Sequence, residues 1–198
     1  MRSKLRVILV VVIGILAAAL SACGSVDQSE TGTKTFARVC MGEGAEHGIY
    51  YGSASDGEGP FPVIVFRRAG AGEPWFQLRK NDLGTVFPSE WHPTEDNQTE
   101  LVVCLTAVER EEVYECEYTA MNDESGDVEL IIKVYNTTYE VVLRDAQTAE
   151  EYTSTTFQTQ ADEECPETAI ETWDQDVRVI DSNPATGLVP FLEPWVVK

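Results

Sequence analysis

The sequence predicts a mostly β domain, an antiparallel β-sandwich-like fold with a short C-terminal helix, preceded by a cleaved signal peptide. Three observations lead there. Apolar and polar residues alternate with period two in several short runs fenced by turn-forming residues. Helical periodicity is weak everywhere except near the end of the chain. Four cysteines, Cys40, Cys104, Cys116 and Cys165, are spread through the region that holds those runs, as in exported domains stapled by disulfides.

The chain opens with Arg2, Lys4 and Arg6 and no acid, and Val7 to Leu20 then runs without a charged side chain. A basic stretch followed by an apolar one is the layout of a secretory signal peptide. As a helix the apolar run would cover about 21 Å, short of a hydrocarbon core of roughly 30 Å. Small residues, Ser21 and Ala22, then precede Cys23. The sequence Leu20-Ser21-Ala22-Cys23 resembles the lipobox of bacterial lipoproteins. That resemblance implies cleavage between Ala22 and Cys23, acylation of the Cys23 thiol, and attachment to a membrane through the acyl chains. Two or three chains suffice for stable anchoring where a single one binds reversibly.

Removal of residues 1–22 leaves 176 residues, about one domain by length, and takes the formal charge from −20 to −23. Such a surface repels nucleic acid, so no nucleic-acid partner is expected. Residues 23–36 are small and polar and read as a flexible acylated linker, with residues 37–198 as the extracytoplasmic β domain.

Within the domain, Phe61 to Arg68 is an apolar run bounded by Gly and Pro, which suits a buried strand. The stretch from Glu100 to Ala120 reads as two strands around a turn near Glu109 to Glu111. That hairpin sets Cys104 opposite Cys116, Val102 opposite Tyr118 and Thr106 opposite Tyr114, so a Cys104 to Cys116 disulfide is expected. Cys40 and Cys165 then pair by elimination. Val128 to Tyr135 and Thr138 to Ala146 read as a second hairpin, turning either at Asn136-Thr137, where the β-branched Thr137 disfavours the positive φ of a type I′ turn, or through a slightly longer loop. Tyr152 to Gln160 is a further alternating strand. A terminal helix is expected around Val189 to Val197, limited by Pro190 and Pro194.

Beyond the lipobox, the segments Cys40 to Gly44, Phe61 to Phe66, Trp91 to Glu95, Leu101 to Leu105, Tyr114 to Tyr118, Thr138 to Thr148 and Glu164 to Pro166 resemble a family of extracytoplasmic bacterial domains for which no activity is established. The chain departs from that pattern after Asp145, where Gln147 to Glu151 stands in place of a Thr-Gly turn.

Signals for chemistry are sparse. Four thiols could bind zinc, but no Cys-x-x-Cys spacing occurs and the two histidines, His47 and His92, are isolated, so neither a metal nor another cofactor is expected. His92 sits between Glu90 and Glu95, yet Trp91 and Pro93 suit a turn with the indole packed inward. The acidic turns Ser55 to Gly59 and Asn122 to Asp127 miss the calcium-loop pattern. The composition therefore points to a non-enzymatic binding or interaction module of the cell envelope, on the extracytoplasmic face, with an envelope protein or polymer as partner. Two other readings remain open: an envelope hydrolase using paired carboxylates, and a calcium-dependent adhesion module.

Overall fold

The computed structural model describes residues 34–49, 51, 59–95, 98–119, 128–161, 165 and 177–197. The chain divides into two compact units, Met1–Lys34 and Thr35–Lys198, and all six strands belong to the second. They are β1 (Val63–Arg68), β2 (Phe76–Leu78), β3 (Leu101–Thr119), β4 (Val128–Asp145), β5 (Glu151–Thr159) and β6 (Val177–Asp181), with helices α1 (Lys80–Leu83) and α2 (Ala185–Val196).

The fold is mostly β, but it is one open mixed sheet and not a sandwich. The order is β2-β1-β3-β4-β5, and β6 pairs with the far half of β4. Two of the pairings, β1 with β3 and β4 with β6, are parallel. The two expected hairpins are absent. Each is a single long strand, and the two strands pair with each other from Leu101↔Asp145 to Thr119↔Val128. Four expected strands thus become two long ones, and all six strands of the domain join one sheet.

The physical reason lies in the charged run from Glu109 to Glu112. Beyond Thr106, β3 loses β1 as a neighbour, so its outer edge has no strand beside it among the described residues. Charged side chains and bulges are how an open edge is kept from pairing with other chains. The register shifts between Ala107 and Glu109 and again between Glu112 and Tyr114, one residue being inserted each time. Each bulge breaks the period-two pattern, and the run takes on the composition of a turn. In β4, Thr137 is buried; its backbone N–H donates to Ser182 Oγ at 3.1 Å and its hydroxyl donates to Asp181 Oδ1 at 3.1 Å. A β-branched residue is at home in such a strand position.

Each face of the sheet's first half is covered by something other than a sheet. On one face, Val63, Val65, Val103, Leu105, Tyr139, Val141 and Leu143 pack against α2, which lays down the stripe Ala185, Leu188, Leu192 and Val196. The helix starts four residues earlier than the expected Val189, with the Ala185 N–H capped by the Asn183 side-chain oxygen at 2.9 Å. It contains both Pro190 and Pro194, and these lie on its exposed side, where water can satisfy the freed carbonyls. On the other face, Ile64, Phe66, Val102 and Cys104 pack against Phe36, Val39 and Ala45. Phe36, at the end of the expected linker, is therefore a core residue. Gly44 allows this segment to touch the turn after β4, since an added Cβ would overlap the Gln147 carbonyl, and the Ala45 N–H donates to the Ala146 carbonyl at 2.9 Å. That turn places Ala149 at φ 61, the left-handed conformation that glycine adopts most readily.

Candidate interaction surface

Beyond Thr137 the sheet narrows to three strands, the distal halves of β3 and β4 with β6. The alternation of β4 carries the α2-covered face onward through Tyr135, Lys133 and Ile131. On one side these pair with Glu112, Glu115 and Glu117 of β3, and on the other with Asp181, Val179 and Val177 of β6. The result is three parallel rows of side chains: acidic along β3, mixed along β4, and along β6 two valines followed by the ion-paired Asp181. Val177 is 44% exposed and Val179 54% exposed. The opposite face of this region buries Leu130, Ile132, Val134 and Cys116, which form a small core of their own.

Two of the acids are tied to the middle row. Lys133 Nζ donates to Glu115 Oε1 at 2.6 Å and to Glu112 Oε2 at 3.2 Å, and the Tyr135 hydroxyl donates to Glu112 Oε2 at 3.0 Å. The hydrogen bond from Lys133, then that from Tyr135, lowers the Glu112 carboxyl below its usual value, while the two carboxylates raise Lys133. Glu117 makes no ion pair among the described residues.

Asp181 fixes β6 in place. Its side chain is only 6% exposed and accepts from Arg110 Nε at 2.5 Å and Arg110 Nη2 at 2.9 Å, with Arg67 Nη1 at 3.8 Å. Burial pushes the carboxyl up, but the hydrogen bonds and charge of Arg110, the charge of Arg67 and the Thr137 hydroxyl together hold it below its usual value. The hydrogen bond to Asp181 raises Arg110 in turn. Ser182, next in sequence, shares a hydrogen bond with Thr159, and its carbonyl accepts from the buried Tyr139 hydroxyl at 3.0 Å.

All four domain cysteines are cross-linked, but the partners differ from the expected ones. The disulfides are Cys40–Cys104, with Cα atoms 5.5 Å apart, and Cys116–Cys165, with Cα atoms 5.8 Å apart. Cys104 and Cys116 lie on the same continuous strand. Twelve residues of extended chain separate them by roughly 40 Å, far beyond disulfide reach. Each bond instead pins a peripheral segment to one half of β3. Ala22 and Cys23, and with them the lipid-attachment and cleavage positions, lie outside the described residues, as do residues 55–58 and 122–127 of the acidic turns.

Trp91 is buried and packs edge-on to Phe87, with ring centroids 5.5 Å apart. Beside it, His92 has a buried Nε2 with no hydrogen-bond partner; burial, then the Lys80 charge, lowers its pKa. An open recess of about 680 Å³ next to it is lined by one run of chain, from Lys80 to Glu90. The Asp145 carboxylate is also buried and is filled by five donors: the N–H groups of Tyr51, Gln147 and Thr148 and the hydroxyls of Thr148 and Tyr152. It organises the β4–β5 turn. Among the described residues, no cluster of three His, Cys, Asp or Glu could hold a metal ion, and no helix is long and apolar enough to cross a membrane.

Fold and surface together define a disulfide-braced, mostly β domain in which, among the described residues, nothing covers one face of the distal half of the sheet. No protein-family model, curated protein or solved structure matches the chain. The sequence reading misses β6 and hence the exposed rows. Their only local signal is the alternation in Val177, Val179 and Asp181, too short to stand out.

Proposed function

We propose that the protein is a lipid-anchored extracytoplasmic lipoprotein whose β domain is a non-enzymatic interaction module of the cell envelope. The observation that carries this reading is the use of its five cysteines. Four are consumed in two disulfides, the kind of cross-link that persists in an oxidising compartment. The fifth, Cys23, stands outside both, at the end of Leu20-Ser21-Ala22-Cys23. An odd thiol in an exported chain calls for another fate, and acylation at a lipobox supplies one. The open three-strand face supports the interaction role, because contiguous exposed apolar side chains rimmed by charge mark binding surfaces.

The test is Cys23→Ser in the full-length chain, expressed in a bacterial host with an alkyne-tagged fatty acid and followed by detergent phase partition. The parent chain is expected to take up the label and enter the detergent phase. The serine variant is expected to remain unlabelled and uncleaved. Equal processing and partition of the two would remove the reading.

A further inference from the structure

We propose that the face of the distal three-strand region on which Val177 and Val179 are exposed docks a cationic amphipathic helix of a partner protein, its apolar stripe over Val177, Val179 and Ile131 and its lysine or arginine flank over Glu112, Glu115 and Glu117. This deepens the reading of the domain as an interaction module and does not depend on the tether.

The same sheet face shows what kind of element lies there. Over its first half it is covered by α2, a three-turn helix with one apolar stripe. Over its second half the strands continue with the same alternation, yet Val177 and Val179 stay about half exposed. The open area has the dimensions of one such helix. Five residues of β6 run about 17 Å, and three strands span about 10 Å between the outer two. A helix of eleven residues is about 17 Å long and about 10 Å across.

Charge selects the occupant. Three carboxylates line the β3 row, and the single lysine among the rows, Lys133, is shared between two of them. Asp181 in the β6 row is already neutralised by Arg110. The surface is therefore apolar on one side and negative on the other. A helix with an apolar stripe and a basic flank matches both rows, whereas an acidic helix or an anionic lipid surface meets repulsion along β3. The footprint is small for a permanent complex, so the association is of the weak, exchanging kind.

The probe is a fluorescent three-turn peptide of leucine and lysine at helical spacing, titrated against the full-length chain in discs of zwitterionic lipid. Empty discs serve as reference. Fluorescence anisotropy is read at about 0.15 M salt, where the Debye length of about 8 Å suppresses diffuse attraction. Val179→Asp, and separately Glu115→Lys, should each weaken binding about tenfold, as truncation of a residue at the centre of an interface commonly does. Because an acid in β6 could disturb the strand, the double variant Val177→Thr, Val179→Thr is measured too. It keeps strand propensity and should weaken binding about threefold with an unchanged melting temperature. Charge reversals at the exposed Glu140, on the opposite sheet face, and Glu193, on α2, should change binding by less than about twofold.

Amide exchange from Val177 to Asp181 should slow when peptide is added. The proposal is overturned if the control reversals cost as much as Glu115→Lys, or if both valine variants bind like the parent. It is also overturned if a peptide with leucine and lysine in strict alternation, or anionic vesicles, bind more tightly than the helical peptide. Any of these results would leave the reading of the tether untouched, since that is decided by acylation at Cys23.

Discussion

Replacing Cys116 and Cys165 together by alanine removes a cross-link across 49 residues of sequence. In the chain-entropy account, a loop of this size restricts the unfolded chain by about 14 cal/mol/K, or about 4 kcal/mol at 25 °C. The Cys40–Cys104 bond closes 64 residues, and the dependence is logarithmic, so its removal should cost only about 0.2 kcal/mol more. For a domain of this size, 4 kcal/mol corresponds to a fall in Tm of about 8–16 °C. Urea denaturation by linear extrapolation measures the loss directly, and the m-value should rise as the unfolded chain expands. The two variants should still differ in where they open. Among the described residues the distal core holds four buried residues, Cys116, Leu130, Ile132 and Val134, so without its cross-link amide exchange should accelerate there before the rest of the sheet. A peptide map of the unreduced protein fixes the pairing independently. A loss below about 1 kcal/mol for either pair would refute the energetic argument. A Cys104 to Cys116 cross-link would refute the continuous β3 strand itself.

Two further substitutions probe the joints that hold the layers. Asp181→Asn keeps the shape but removes the charge that pairs with Arg110 and Arg67. With the guanidinium partners about a third exposed, the loss should be about 2–3 kcal/mol, below the range for fully buried pairs. The Asp181 carboxyl is held below its usual value, so its contribution is complete above the unfolded pKa of about 3.9 and is lost as pH falls through the folded value. The gap between parent and variant should therefore be constant from about pH 7 to about pH 5 and narrow only below about pH 4, and a gap that stays constant in urea melts down to about pH 2 would contradict the assignment. Gly187→Ala should destabilise by about 1–2 kcal/mol despite alanine's better helix propensity, because an added Cβ would overlap the Phe157 ring. A neutral or more stable variant in chemical denaturation would mean that α2 and β5 are not in close contact.

Some of this architecture is written in short-range pattern. The apolar run at β1, the alternation of β5 and the stripe ending at Val196 are legible because burial on a pleat or helix imposes a period that nearby residues carry alone. Trp91 packed inward beside Pro93 is legible for a similarly local reason, the turn chemistry of its neighbours. The Cys23 motif and the even set of domain cysteines speak of address and redox environment, which need no fold to be read.

What the neighbours decide is different in kind. Whether Glu109 to Glu112 turns or runs straight depends on the strand alongside, and only pairing with β4 shows that it runs straight, with bulges that hide the period. Cysteine partners are chosen by proximity in space, so Cys104 and Cys116, on one strand, each bond a distant segment. The exposed rows exist because Asp181 meets Arg110 across 71 residues of sequence, laying β6 beside β4. A local pattern can state which residues seek cover, but whether they are covered, like Val65 and Val103, or half exposed, like Val177 and Val179, is set by the packing of segments far apart in the chain.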